Sequence, residues 1–212
     1  MSPTIHCVRH EEGVYNVGGG TFFDQSKISL MISSPMCRTL QTAPLAFQTA
    51  LTSTLKPQRI IAFSEAQGTS GGPCDIGSDP DILRRVVERE KWPVNLSFVK
   101  DGWNQKKAGS RYSQSNNSIR ARARDARLFL RAKLRELISN GDDDAGIEDS
   151  YHHPGTGWHN CETRAYVFEG DFRSNHDLEA WLMETRESRW ERGKVHPMYG
   201  KKDQVKLFTA AM

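Results

Sequence analysis

The chain has 212 residues, with 29 lysines and arginines, 26 aspartates and glutamates and a formal net charge of +3. This length predicts one domain over residues 1–212 with a substantial hydrophobic core. The nearly balanced charge predicts no nucleic-acid or membrane partner, and no stretch approaches the roughly 20 apolar residues of a membrane span. Four cysteines without a CxxC pair, and no basic-then-apolar leader, predict a cytoplasmic protein with reduced thiols.

The first predicted strand starts almost at the N-terminus and ends in an arginine and a histidine. Residues 5–8 are its short, mainly apolar run, and Arg9-His10 follow directly. Ligands of open α/β sheets bind at the carboxyl ends of the strands. A neutral imidazole can attack phosphorus, and a guanidinium fork can hold phosphoryl oxygens. The pair alone is a weak signal, because it fits a phosphate site and also an ordinary pair of surface residues.

A second strand, through Ile32, leads into a predicted helix over residues 36–50. Ser34-Pro35, directly before it, is the start signal of this helix. Arg38 lies in its first turns, where backbone N–H groups and the helix dipole favour anions. Pro44 lies inside the helix and predicts a kink or an early end.

The rest of the chain continues the alternation of strands and helices only in part. We predict a strand over 59–64, a helix opening at Asp79-Pro80, an irregular stretch over 91–117 with a mobile polar tract at 110–118, and a long arginine-rich helix from Ser118 to Ser139. Residues 142–149 are predicted to be an acidic turn. A strand over 164–168 and a helix over 178–190 follow.

The chain resembles the histidine phosphatase superfamily, the phosphoglycerate-mutase-like proteins, in a form close to a fungal branch. The resemblance covers nearly the whole chain. It rests on Arg9-His10, residues 34–43, Glu65, residues 74–80 and 101–106, the helix from Arg120 and residues 155–164.

The resemblance implies an α/β fold, a three-layer sandwich around a mainly parallel sheet. Compared with that plan, the chain is expected to lack one strand and two helices through internal deletions near Asp24 and Gly146. Backbone groups left unpaired beside the first strand would make folding marginal.

The resemblance also implies a chemistry. His10 would attack a phosphate monoester and become phosphohistidine, Arg9 and Arg38 would stabilise the phosphoryl oxygens, and Asn16 would contribute a further contact. The expected reaction is hydrolysis of a small phosphorylated substrate, ahead of phosphoglycerate mutation, without a metal or other cofactor. The sequence makes no prediction about the oligomeric state.

Two catalytic groups that the resemblance implies have no direct match in this sequence. The general acid of the resemblance aligns with Gly68, so Glu65, three residues earlier, is the substitute candidate. The second histidine has no match in context, and His152 and His153 are predicted to be surface residues. Activity is therefore expected to be feeble, and a catalytically degenerate phosphate-binding protein, truncated or spliced, is the alternative.

Two other classes remain open on particular residues. The arginine-rich helix could bind nucleic acid, but Asp125 and Glu136 interrupt it and no aromatic ladder accompanies it. A metal site could use His152, His153, His159 and Cys161, but their spacing fits no usual zinc pattern.

Overall fold

A computed structural model of the chain describes residues 3–8, 25–52, 59–139, 146–149, 162–174 and 176–193. These residues form a mixed α/β structure with helices packed on a seven-stranded sheet. None of the helices within these ranges combines the length and the apolar character needed to cross a bilayer.

The sheet is mainly parallel, as predicted. In the order β4-β3-β2-β5-β1-β6-β7, the first five strands run parallel to one another, β6 runs antiparallel to β1, and β7 runs antiparallel to β6. The strands are β1 (Ile5–Val8), β2 (Ile28–Ser33), β3 (Ile60–Phe63), β4 (Val94–Phe98), β5 (Gly146–Asp149), β6 (Thr163–Phe168) and β7 (Leu182–Glu184).

The strand β5 corrects the prediction of an acidic turn and of a missing strand. It lies between β1 and β2, with Asp149 in register with Cys7 on one side and with Ile32 on the other. Pairing on both edges satisfies the backbone groups that the predicted deletion would have left unpaired. The premise for marginal folding beside the first strand is therefore wrong. The interval in which a crossover helix was expected to be missing, 9–24, lies outside the described residues.

The predicted helix over 36–50 is two helices, separated at Phe47. Helix α1 (Cys37–Ala46) contains Pro44, and α2 (Gln48–Leu51) follows the break. Proline lacks the N–H of the helical ladder and its ring clashes with the preceding turn. The predicted early end is confirmed, two residues after the proline. The remaining helices are α3 (Pro80–Arg89), α4 (Asn116–Ser139) and α5 (Arg186–Glu191).

Two apolar clusters cover opposite faces of the sheet. Along β3, Ile60 and Ala62 join the cluster that contains Leu40 of α1 and Leu83 of α3. The alternate residue Phe63 joins the cluster of α4, which includes its Ala126, Leu130 and Leu134. Neighbouring side chains of a strand point to opposite faces, so helices pack on both sides of the sheet.

Three local predictions are wrong. The irregular stretch over 91–117 contains the edge strand β4, and the helix over 178–190 is replaced by β7 and the short α5. Within the tract over 110–118 Tyr112 and Ser113 are buried, and the mobility of this tract stays a prediction. Helix α4 begins at Asn116 and not at the predicted Ser118. Its N-cap is Ser115, whose hydroxyl accepts a hydrogen bond from the backbone N–H of Ser118.

Four of the arginines of α4 bind the segment that leads from β6 to β7. Arg124 and Arg127 donate to the carbonyls of Leu178 and Glu179, and Arg131 and Arg135 donate to those of Asp177, Phe172 and Ser174. Guanidinium groups engaged in this way hold a loop against the helix. This arrangement gives no support to the nucleic-acid alternative.

Candidate functional site

The carboxyl ends of the parallel strands meet at one edge of the sheet. The registers place Cys7, Asp149 and Ile32 side by side across β1, β5 and β2, and Ser33 beside Ala62 of β3. Strand β1 ends at this edge, two strand spacings or roughly 10 Å from β2, and Arg9 and His10 are the next residues in the sequence. Arg9, His10 and Asn16 themselves lie outside the described residues, so their convergence with Arg38 stays a prediction.

Arg38 lies at this edge, at the second position of α1, held by the turn that follows β3. Its guanidinium donates to the carbonyl of Cys74 and forms an ion pair with Asp75, with 2.7 Å between Nη2 and Oδ1. The two side chains are 30% and 22% exposed. A guanidinium oriented by two neighbours loses less rotamer freedom when it binds an anion. Asp75 and the carbonyl of Cys74 therefore both help to hold Arg38 in its direction.

Lys106 brings a second cation to this loop. Its Nζ donates to the carbonyl of Gly68 at 2.6 Å. A Cβ at Gly68 would lie 3.3 Å from Oδ1 of Asp75, so the loop, Lys106 and the Arg38 ion pair are close neighbours. The guanidinium of Arg122, on α4, donates to the carbonyl of Gln67 one residue before Gly68, at 3.2 Å. Three cations from three parts of the chain thus surround one loop.

Glu65, the predicted substitute acid, is buried in an ion-pair cluster. Its residue is 2% exposed, and Nη2 of Arg111 lies 3.2 Å and Nζ of Lys100 3.6 Å from its carboxylate oxygens. The hydroxyl of Tyr112 donates to Oε1 at 3.4 Å, whereas Oε2 accepts no hydrogen bond of good geometry from the described residues. In this position Glu65 ties the 100–112 segment to the end of β3. Its role as proton donor stays a prediction, and this burial gives it no support.

Trp103 anchors the segment that carries Lys106. It is fully buried against Gly77, and its Nε1 donates to the carbonyl of Ser78 at 3.1 Å. Asn104 adds bonds to the carbonyl of Gly77 at 3.1 Å and to Asp79 at 2.9 Å. These contacts hold the 100–112 segment against the 73–79 turn, and so fix the position of Lys106 relative to Asp75.

The surroundings of Lys106 lower the pKa of its ammonium group. Burial is the main cause, the positive charge of Arg122 acts in the same direction and Asp75 opposes it, so that the pKa of Lys106 is about 8 instead of 10.5. Tyr112 has its pKa raised to about 12, mainly by burial and further by Glu65. A lysine with a pKa near neutrality can both hold and release a proton under physiological conditions.

The lowered pKa predicts a pH-dependent contribution to stability. The unfolded chain binds more protons than the folded one between pH 8 and 10.5, so stability from this group rises with pH across that window. The free energy of unfolding of the wild type, relative to that of Lys106→Met, should increase by about 1 kcal/mol from about pH 7.5 to about pH 9.5, after allowance for the partial exposure of the lysine. Urea unfolding of both proteins at the two pH values measures this. A difference between them that is independent of pH would contradict the shifted lysine.

Sequence reasoning placed Arg38 at this edge but assigned no role to Asp75, Lys106 or Arg122. Asp75 and Lys106 both stood in the segments that carried the resemblance, as residues without a stated function. The sequence signal that could have found Lys106 is Trp103, a large apolar residue three positions earlier that anchors the segment and so fixes the place of the lysine. His152, His153, His159 and Cys161 lie outside the described residues.

Comparison with known proteins adds nothing to this geometry. No model of a protein family matches the chain, and no curated protein matches its sequence.

Proposed function

We propose that this chain is a phosphoglycerate-mutase-like histidine phosphatase that hydrolyses phosphate monoesters through a phosphohistidine at His10. The observation that carries the proposal is the position of Arg38 at the carboxyl edge of the parallel strands, oriented by Asp75. The strand that leads to Arg9 and His10 ends at the same edge. Arg9 and Arg38 hold the phosphoryl oxygens, which is an electrostatic contribution that needs no metal.

The strand β5 supports a fuller active site than the sequence predicted. It ends at Asp149, three residues before His152, between the strands that lead to His10 and Arg38. His152 and His153 therefore enter the proposal as candidates for the second histidine donor. The degenerate phosphate-binding protein remains the alternative, with the same anion site and no turnover.

The test is the release of p-nitrophenol from p-nitrophenyl phosphate by the purified full chain. Arg38→Met is expected to lower kcat/KM by about 10²–10³-fold, the cost of removing one preorganised donor from an oxyanion site. Arg84→Met is the matched control, because Arg84 forms a surface ion pair with Asp81 and its side chain is 59% exposed. It should leave kcat/KM unchanged.

The alternative gives a different result in the same experiment. A chain that releases no p-nitrophenol but binds inorganic phosphate in calorimetry, with affinity lost in Arg38→Met, is the degenerate form. A chain that does neither contradicts both forms of the proposal. Thermal unfolding of Arg38→Met shows whether the loss reflects the anion site or the fold, since the substitution also removes the ion pair with Asp75.

A further inference from the structure

Cleavage of an alkyl phosphate needs a proton for the departing alkoxide, and among the described residues near Arg38 few groups can supply it. Glu65 is buried and engaged by Arg111, Lys100 and Tyr112. Asp75 is committed to Arg38. The loop position that the resemblance assigns to the acid is Gly68, which has no side chain. Lys106 carries protons and donates a hydrogen bond to the carbonyl of Gly68.

We propose that Lys106 is the catalytic proton donor to the leaving oxygen, taking the place of a carboxylic acid in the loop after β3. The inference deepens the proposed function and rests on it. Its geometric basis is the 2.6 Å bond from Nζ to the carbonyl of Gly68, next to the ion pair of Arg38 and Asp75. An ammonium has three donors, so the bond to Gly68 leaves two for a substrate.

The reaction balances with the groups named. A ring nitrogen of His10 forms a bond to phosphorus, the P–O ester bond breaks, and its electron pair stays on the leaving oxygen. That oxygen takes a proton from Nζ of Lys106, which becomes a neutral amine. In the second half-reaction the oxygen of water forms a bond to phosphorus and one of its protons goes to the neutral amine of Lys106. The P–N bond breaks, its electron pair returns to the ring nitrogen of His10, and inorganic phosphate leaves.

The charged groups around Lys106 suit this cycle. Arg122 on α4 disfavours the ammonium, Asp75 favours it, and burial adds to the effect of Arg122. A donor with a pKa near 8 is mostly protonated at neutral pH and gives up its proton more readily than an exposed lysine. Because kcat/KM reports the free enzyme, its value for an alkyl phosphate should fall as the pH rises through about 8.

The experiment compares two leaving groups in the full chain. Nitrophenolate is a stable anion and departs without a proton, whereas the alkoxide from glycerol phosphate does not. Lys106→Met is expected to lower kcat/KM for glycerol phosphate by about 10²-fold or more while leaving p-nitrophenyl phosphate nearly unchanged. It should also abolish the alkaline fall of the glycerol phosphate profile. Lys107→Met, at the exposed neighbouring position, should change neither substrate.

Each other outcome overturns the assignment in its own way. Equal losses with both substrates mean that Lys106 positions the loop or contributes charge without donating a proton. A loss confined to glycerol phosphate in Glu65→Gln, and absent from Lys106→Met, assigns the proton to Glu65. No turnover of either substrate by the wild type overturns the proposed function together with this one. Turnover of p-nitrophenyl phosphate by the wild type therefore separates the two failures.

Discussion

Replacement of His10 by alanine is expected to lower kcat/KM for p-nitrophenyl phosphate by at least about 10³-fold, because a covalent nucleophile has no substitute in the reaction. The residual groups can still bind phosphate, so KM should change less than kcat. Steady-state kinetics on the wild type and on His10→Ala measure both. The proposed intermediate adds a second readout, a phosphoenzyme that is stable in base and labile in acid, present in the wild type and absent from the variant.

The matched control is His176→Ala, which removes an exposed histidine from the segment between β6 and β7. It should keep full activity and form the phosphoenzyme. Activity retained by His10→Ala would mean that the carboxyl edge of the sheet carries the chemistry without a histidine nucleophile. Thermal unfolding of His10→Ala beside the wild type separates a loss of chemistry from a loss of folding.

Gly77→Ala is expected to be the most destabilising single substitution near the site. A Cβ at this position would lie 2.0 Å and 2.3 Å from ring carbons of Trp103, a distance that no side chain tolerates. Trp103 is fully buried and bonded to Ser78, so it cannot move aside without breaking the contact between the 100–112 segment and the 73–79 turn. Overpacking of this kind costs about 3 kcal/mol, a large share of a total stability of about 5–15 kcal/mol.

Urea unfolding of Gly77→Ala beside Gly72→Ala measures this effect. At Gly72 the nearest atom is the Ser70 hydroxyl at 3.3 Å, which can rotate, so the control should lose less than about 1 kcal/mol. Displacement of Trp103 also moves Lys106, so any folded Gly77→Ala protein should hydrolyse glycerol phosphate more slowly. Wild-type stability of Gly77→Ala would show that Trp103 does not pack on Gly77.

The part of the site that was predictable is the part that follows from the order of strands. Arg38 stands at the start of a helix after an apolar strand, and that pattern alone places it at the carboxyl edge of a parallel sheet. The ion pair with Asp75 joins residues 37 positions apart, and the bond from Lys106 to Gly68 joins residues 38 apart. No local pattern specifies such contacts, because they depend on how the turn after β3 and the 100–112 segment pack around Trp103.

The sequence by itself determined the elements whose apolar residues repeat with a clear period. These are β1, β2, β3, β6, the helix after Pro80 and the long helix α4, whose apolar residues join the two clusters of the core. The same reasoning explains the break after Pro44, since the missing N–H is a property of the residue itself.

Only the tertiary structure decided β5. Residues 146–149 have a single apolar member, Ile147, whereas central parallel strands are normally continuous apolar runs. The segment is a strand because β1 and β2 each present a row of N–H and C=O groups that need hydrogen-bond partners. Pairing with both strands satisfies the backbone groups of β1, β5 and β2 along their shared edges. That free energy comes from neighbours distant in the sequence. For this reason a local pattern predicted an acidic turn where the fold has a strand in the middle of its sheet.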